Sequence, residues 1–304
     1  MQDWQSLIAM KKCSDRFDNL PVPRILFKDL VCKALLEDIG EGDITTRSCV
    51  DRKSKAVAWI VAKEDGLLAG LFVAKEVFCQ VDRHLTFVDG LEEGHAFVKG
   101  DTLLTIEGRA SSILMAERVA LNFLQRLCGI ATLTRKYAQK LEGSACRIVG
   151  TRKTTPGLRC LEKYAVRIGG GFNHRFCLSD GILIKDNHIA ACGSVTEAIS
   201  RARKHAPHTL KIEIEVAGFE ELKEAIEAGA DVIMLDNMTV EQLKEAVAFA
   251  RFRRPHIVLE ASGGVTLENV KEIAATGVDI VSSGALTHSY KSIDLSLKLN
   301  ILKE

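Results

Sequence analysis

The chain has 304 residues and a mass of 33.4 kDa, with 47% hydrophobic and 27% charged residues and a formal net charge of +1. This composition excludes disordered, collagenous and low-complexity classes, and near-neutrality argues against broad electrostatic binding to nucleic acid. No apolar run approaches the ~18 residues needed to cross a bilayer. The opening MQDWQSLIAMKKCSD has an acid at position 3 and no basic-then-apolar start, which makes a poor secretory signal.

In chain order, AVAWIVAKEDGLLAG (56–70) reads as alternating strands broken by glycines, and VAKEVFCQV (73–81) as a short helix. LTFVDGLEEGHAFVKGDTLLTIEG (85–108) returns to strands. Its segment GHAFVKGDTLLTIEG resembles the half-barrel of lipoyl or biotinyl carriers. The modifiable lysine of those hairpins is missing, because the chain continues GRASSILMAE, so the shape is expected without the carrier function. Residues 111–141 read as a long helical stretch interrupted at Gly129. On it Arg118, Asn122 and Gln125 form a polar stripe opposite Val119, Leu121, Phe123 and Leu124.

The second half is more regular. KIEIEV (211–216), ADVIMLD (230–236), HIVLEAS (256–262) and VDIVSSG (278–284) are β-branched runs. Helical stripes lie between them: Leu222, Ala225 and Ile226; then Val240, Leu243, Val247 and Ala250; then Leu267, Val270, Ile273 and Ala274. Thr239 with Gln242, and Ser194 with Glu197, have capping-box spacing, and Gly229 and Gly277 stand where helices should stop. Strand–helix alternation predicts parallel strands with right-handed crossovers.

The strand interior chooses a barrel over a flat doubly wound sheet. Lys211, Glu213 and Glu215 share one face of their strand, and Ile212, Ile214 and Val216 the other. A strand sandwiched between helix layers is apolar on both faces, whereas a barrel interior and mouth can hold the polar face. Lys211 and Glu213 are equally open to an internal ion pair with a structural role. Glu215 and Asp236, with Glu260, Ser262 and Ser283, stand toward the carboxyl ends of their strands, where barrel enzymes keep their chemistry.

From Arg147 to Lys185 there are eight Lys/Arg against two acids, Glu162 and Asp180. This local excess is expected to hold a small, highly charged anion. Three loops carry it: GTRKTTPG (150–157), the glycine-rich GGGFNHR (169–175) and ILIKDNHI (182–189). Glycines let backbone approach a ligand, and arginine recognises carboxylates bidentately. There is no P-loop. His84, His95, His205, His208 and His256 are expected at the surface, and His188 in a structural hydrogen bond. The nine cysteines are scattered without a C-x-x-C pair, so reduced thiols in a cytoplasmic protein are expected.

At these segments the chain resembles the quinolinate phosphoribosyltransferase (nicotinate-nucleotide pyrophosphorylase, carboxylating) family. The resemblance runs through GDITT (42–46), ERVALNFLQRLCGIAT (117–132), TRKTTPGLR (151–159) and EKYAVRIGGGFNHR (162–175). It continues through LIKDNHI (183–189), EIEV (213–216), IMLDN (233–237), EASGG (260–264) and SSGAL (282–286).

It implies an α/β protein with an N-terminal α/β sandwich domain over residues 1–128, joined by the tail 288–304, and an open seven-stranded (β/α) barrel over 129–287. The implied reaction joins quinolinate to phosphoribosyl pyrophosphate (PRPP) and yields nicotinate mononucleotide, pyrophosphate and carbon dioxide. It implies magnesium and no organic cofactor, and a homodimer, or a higher oligomer built from it, with shared active sites. It implies no nucleic-acid or membrane partner.

The catalytic residues implied are Lys153, Lys185, Glu215 and Asp236. Quinolinate would be met by Thr151, Arg152, Lys153, His174, Arg175 and Lys185, with Arg118 supplied by the partner subunit. Glu215 and Asp236 would serve metal and ribose, and Ser262, Gly263, Gly264, Ser283, Gly284 and Ala285 the ribose phosphate. The alternatives are a protein of the same fold acting on another acceptor, such as the molybdenum-transport-associated homologues, and a non-catalytic binding protein.

Overall fold

The computed structural model describes residues 11–12 and 20–302, and the N-terminal segment read as a poor secretory signal otherwise lies outside them. The chain divides into two units. One holds the described residues up to Leu133 together with Pro156–Gly169 and the segment from Tyr290 onward; the other holds Thr134–Thr155 and Gly170–Ser289. A cut at 128/129 therefore differs from the structure in two ways. The first unit extends five residues further along a helix, and it takes back an excursion, 156–169, that lies far along the chain.

The first unit begins with β1 (Lys11–Lys12), α1 (Lys28–Ile39), α2 (Ile44–Cys49), β2 (Lys55–Ala62), β3 (Gly66–Leu67) and α3 (Leu71–Val81). Then come β4 (Thr86–Asp89), β5 (Ala96–Phe97), β6 (Thr102–Arg109) and the long α4 (Ala110–Lys140). In β2 every second residue, Ala56, Ala58, Ile60 and Ala62, is buried, as a half-covered strand requires. Asp43 caps α2 by accepting from the Thr46 N–H at 2.9 Å.

Helix α4 runs through Gly129 without a break. The glycine serves packing: a Cβ there would lie 2.4 Å from the carbonyl oxygen of Lys291. One turn earlier, Gln125 donates from Nε2 to the Leu295 carbonyl at 2.9 Å. The expected polar stripe is thus split. Gln125 is spent on the C-terminal segment, while Arg118 and Asn122 stay exposed, and Val119, Leu121, Phe123 and Leu124 are buried as read.

The second unit is built on β7 (Arg147–Gly150), which the chain leaves for α5 (Arg159–Ile168) in the first unit before returning at β8 (Phe172–Asn173). Next come β9 (Ile182–Ile184), α6 (Asp186–Cys192), α7 (Val195–His205), β10 (Ile212–Val216), α8 (Phe219–Glu227), β11 (Val232–Asp236) and α9 (Val240–Arg253). The unit ends with β12 (Val258–Ser262), α10 (Val270–Ala274), β13 (Ile280–Ser283) and α11 (Ala285–His288). The final strand, β14 (Leu295–Ile301), joins the first unit.

The first unit's sheet has the order β1-β4-β6-β2-β14 and is antiparallel throughout; β3 and β5 form a separate pair. The second unit's sheet has the order β8-β7-β13-β12-β11-β10-β9, with every pair parallel. β8 and β9 are its two edges, so this seven-stranded α/β barrel is open.

Ile212, Ile214 and Val216 are fully buried in β10, while Glu213 and Glu215 alternate with them on the interior face. Thr239 and Gln242 form the expected reciprocal cap on α9, and Ser194 accepts from the Glu197 N–H at 3.1 Å. Gly229 and Gly277 have φ of 82° and 94°, the left-handed conformation that ends a helix.

Candidate active site

The carboxyl ends of the barrel strands surround a cavity of about 680 Å³. Each strand contributes residues at its carboxyl end or in the turn just beyond it. From the turn after β7 come Thr151, Arg152 and Lys153; after β8, His174 and Arg175; after β9, Lys185. β10 and β11 contribute Glu215 and Asp236, β12 contributes Ser262, Gly263 and Gly264, and β13 contributes Ser283, Gly284 and Ala285. All these residues, expected from sequence to form a site, line this one cavity. Arg118 lies on α4 in the other unit.

The basic window of the sequence does not converge as a whole. Arg159, Lys163 and Arg167 go with α5 into the first unit. Arg147 lies over the Phe172 ring at 4.8 Å and lines a second cavity, about 380 Å³, which also meets Lys211, Val232 and Ile280 at the opposite ends of the strands. His174, Arg175 and Glu260 border both cavities.

The first loop is held by its own backbone and by α11. The Lys153 N–H donates to Thr151 Oγ1 at 3.0 Å, and Thr287 Oγ1 donates to the Lys153 carbonyl at 2.8 Å. The Lys153 side chain runs over Gly284, where a Cβ would meet its Cδ at 2.7 Å. Gly284 is thereby a space requirement.

Lys185 Nζ forms a hydrogen-bonded ion pair with Glu215 Oε2. The Lys185 N–H donates to His188 Nδ1 at 2.9 Å, which gives His188 the structural hydrogen bond expected of it. Asn237 donates from Nδ2 to Asp236 Oδ2 at 2.5 Å. Burial first, and the charge of Glu215 second, push the Asp236 carboxyl up from its ordinary value. Two carboxylates that repel each other at the mouth of a cavity are hard oxygen donors suited to magnesium, which takes one or two carboxylates and completes its shell with phosphate and water. Glu215 and Asp236 fit that ion.

His174 sits between β8 and the interior of β10. Its Nε2 is 2.8 Å from Glu213 Oε2, and its Nδ1 accepts from the Arg175 N–H at 2.8 Å. The hydrogen bond to Glu213 raises the His174 pKa, and burial opposes it. Both ring nitrogens are engaged by the protein, so the ring borders the cavity without a free donor. Glu213 pairs with His174, and Lys211 is exposed; the Lys211–Glu213 ion pair does not form. Arg175 donates from its guanidinium to the Gly181 carbonyl at 2.8 Å, and burial lowers its pKa.

Asn237, Ser282 and His288 also line the cavity, although the sequence assigns them no role, and so does Glu260, which the sequence placed near its strand end without a specific task. Glu260 had a signal: a carboxylate in the apolar run HIVLEAS is costly to bury without a partner. It is 2% exposed, and burial, with the Glu213 charge second, pushes it up to about 7. Asn237, in the left-handed region at φ 55°, and His288, at the end of a four-residue helix, had none.

Among the cysteines, Cys32, Cys49, Cys128, Cys146, Cys160, Cys177 and Cys192 are free, in line with reduced thiols, whereas Cys79 is disulfide-bonded and departs from that expectation. Burial pushes the Cys128 thiol up to about 12 and Cys146 to about 11, so both are inert core residues. The five histidines expected at the surface are exposed. No helix among the described residues is long and apolar enough to cross a membrane.

Comparison with known proteins places this geometry. The C-terminal domain of quinolinate phosphoribosyl transferase matches residues 130–298, and the N-terminal domain matches 43–128. A probable nicotinate-nucleotide pyrophosphorylase [carboxylating] of Bacillus subtilis is 48% identical over 277 residues, covering 91% of this chain and 94% of the relative. Quinolinate phosphoribosyltransferase [decarboxylating] 1b of Nicotiana tabacum is 40% identical, covering 97% of this chain and 89% of its own. The crystal structure of NadC from Streptococcus pyogenes superposes with a TM-score of 0.88 at 43% identity, covering 94% of this chain and all of that one. With both domain families matched in order and relatives this similar over nine-tenths of the chain, the protein belongs to the quinolinate phosphoribosyltransferase family.

Proposed function

We propose that this chain transfers the phosphoribosyl group of PRPP to quinolinate and releases pyrophosphate and carbon dioxide, leaving nicotinate mononucleotide for NAD biosynthesis. One observation carries the reading: Arg152, Arg175, Lys153 and Lys185, with Glu215 and Asp236, meet around one cavity at the carboxyl ends of parallel strands. A dianionic pyridine and a pyrophosphate ester are both answered by that charge set.

The residues divide the work by position. Arg152 and Arg175 have the planar forks that suit the two carboxylates of quinolinate, and His174 walls the pyridine in. Lys153 and Lys185 stand where negative charge grows on departing pyrophosphate as the bond from ribose C1 breaks and the pyridine nitrogen bonds to that carbon. Backbone N–H groups and hydroxyls of Ser262–Gly264 and Ser283–Ala285 suit the 5′-phosphate. Magnesium, when bound by Glu215 and Asp236, would supply further charge to the pyrophosphate. The ribosylated pyridinium then accepts the electron pair left at C2 as carbon dioxide leaves, and a proton takes its place, so no organic cofactor is needed.

The same proposal includes a cytoplasmic homodimer in which Arg118 of one subunit completes the cavity of the other. Its support is the exposed position of Arg118 on α4, the open edge of the barrel and the family resemblance.

The deciding experiment incubates the protein with PRPP and magnesium and with quinolinate or nicotinic acid in parallel, tracking nicotinate mononucleotide and carbon dioxide. Turnover of quinolinate with equimolar carbon dioxide is expected. Turnover of nicotinic acid alone would replace the acceptor, and binding without turnover of either would make this a binding protein.

A further inference from the structure

The interior of the barrel holds two buried acids that the transfer chemistry leaves unused, grouped with His174. His174, Glu213 and Glu260 come from the loop after β8, from β10 and from β12, and bring one nitrogen and two carboxylate oxygens within 4.8 Å of one another. Glu213 is 8% and Glu260 2% exposed. Oε1 of Glu213 and Oε1 of Glu260 are both buried without a hydrogen-bond partner. Two carboxylates so placed cannot both be ionised at low cost, and something positive must lie between them.

A proton answers this better than a divalent cation. The Arg175 guanidinium acts on the same histidine with repulsive charge, and Arg152 acts on Arg175. A second row of cations beside the cluster disfavours a metal ion. Ser282 from β13 acts on Glu260 and opposes its neutral form more weakly than burial favours it, and Lys211, Arg147, Asn173 and Asp180 are further polar groups of the lower cavity wall. The largest effects on Glu260 are burial and then the Glu213 charge, both of which favour its neutral form.

We infer that Glu260 is a positioning residue: its neutral carboxyl donates a hydrogen bond to Glu213, and so fixes Glu213 as the acceptor for His174. Glu213 then receives Nε2–H from the ring at 2.8 Å, while Nδ1 receives the Arg175 N–H at 2.8 Å. A histidine bonded this way is a neutral Nε2–H tautomer. The chain Glu260–Glu213–His174–Arg175 N–H ties the barrel interior to the backbone of the loop that carries an arginine of the cavity. The fork of Arg175 is thereby set from beneath. Glu260 itself acts through Glu213 and the ring.

The kinetic arm of the test rests on the proposed quinolinate reading, and the spectroscopic arm does not. Glu260→Gln keeps a neutral donor toward Glu213, whereas Glu260→Leu removes it. In protein labelled with ¹⁵N-histidine, His174 should be the Nε2–H tautomer near neutral pH in the wild type and in Glu260→Gln, and should lose that state in Glu260→Leu. The KM for quinolinate should stay within about threefold in Glu260→Gln and rise about tenfold or more in Glu260→Leu, the range expected when a buried acceptor loses its donor. The KM for PRPP should hold in both.

Equal damage from Gln and Leu would mean that a charged carboxylate is required and would overturn the inference. So would a Leu variant with normal tautomer and KM, or a stoichiometric divalent metal whose removal by chelator changes the His174 spectrum. If Glu260→Leu does not fold, Glu260→Gln decides alone: retained tautomer and KM support the inference, and their loss rejects it. If quinolinate is not the acceptor, the tautomer of His174 in the wild type and Glu260→Gln still decides it.

Discussion

A Cβ on Gly263 would lie 2.1 Å from Oδ1 of Asn237, so the turns leaving β11 and β12 interlock at the rim of the cavity. Both residues have left-handed backbones, with φ of 91° and 55°, and the Asn237 N–H donates to the Ser262 carbonyl at 2.9 Å. Asn237 in turn holds Asp236. Gly263→Ala adds a clash and left-handed strain of about 1–2 kcal/mol. It should lower the melting temperature and reduce turnover at least about tenfold, because the displaced amide releases the Asp236 carboxylate. Normal activity in a folded Gly263→Ala protein would show that Asp236 is positioned by other means.

Arg152→Ala and Arg175→Ala should each abolish measurable turnover with circular dichroism unchanged. Loss of a desolvated charge partner for a substrate carboxylate costs about 2–5 kcal/mol. Arg175→Ala should also loosen the loop beyond it, because its guanidinium holds the Gly181 carbonyl at 2.8 Å. Limited proteolysis across 176–181 would detect that difference. Wild-type-like turnover in both variants rejects the assignment of these arginines.

Glu215→Gln and Asp236→Asn should weaken the use of PRPP and magnesium more than the binding of quinolinate. In Glu215→Gln, Lys185 loses its ion-pair partner. Magnesium titrations at fixed quinolinate check this, and an unchanged magnesium dependence in both variants would make the two acids structural.

Mixing inactive Arg118→Ala with inactive Lys185→Ala should restore activity if sites are shared between subunits. Under random exchange about half the dimers are mixed, each with one intact site of two, so about a quarter of wild-type activity should return. Tag pull-down confirms that subunits exchange. Mixed dimers without activity would place Arg118 in cis or outside the reaction.

The buried Glu260 makes stability depend on pH. Its folded value of about 7 lies above the ordinary carboxylate value of 4.5. Between these values the folded chain holds a proton that the unfolded chain releases, so stability falls as pH rises through that window and the penalty is complete above it. Glu260→Gln removes the Glu260 contribution. Its melting temperature relative to wild type should therefore be higher at pH 8 than at pH 5, and a constant difference would mean that Glu260 is ionised throughout.

The barrel, its strands and most of the cavity were legible from local pattern. Period-2 alternation in KIEIEV told which face is enclosed, and strand ends carrying Glu215, Asp236 and Ser262 told where the site lies, because these patterns involve near neighbours in the chain. What lies opposite what came from the folded molecule. Gly129 reads as a helix break until the Lys291 carbonyl is seen against it, and Gln125 reads as one member of a polar stripe until it is found holding Leu295. The basic window reads as one patch, yet α5 carries three of its cations to the other unit. Glu213 is open, from sequence, to an ion pair with Lys211 two residues away on the same strand face, but the curvature of the barrel brings it His174 and Glu260 from other strands. Periodicity is a property of neighbours along the chain, whereas pairing inside a barrel is set by closure of strands remote in sequence.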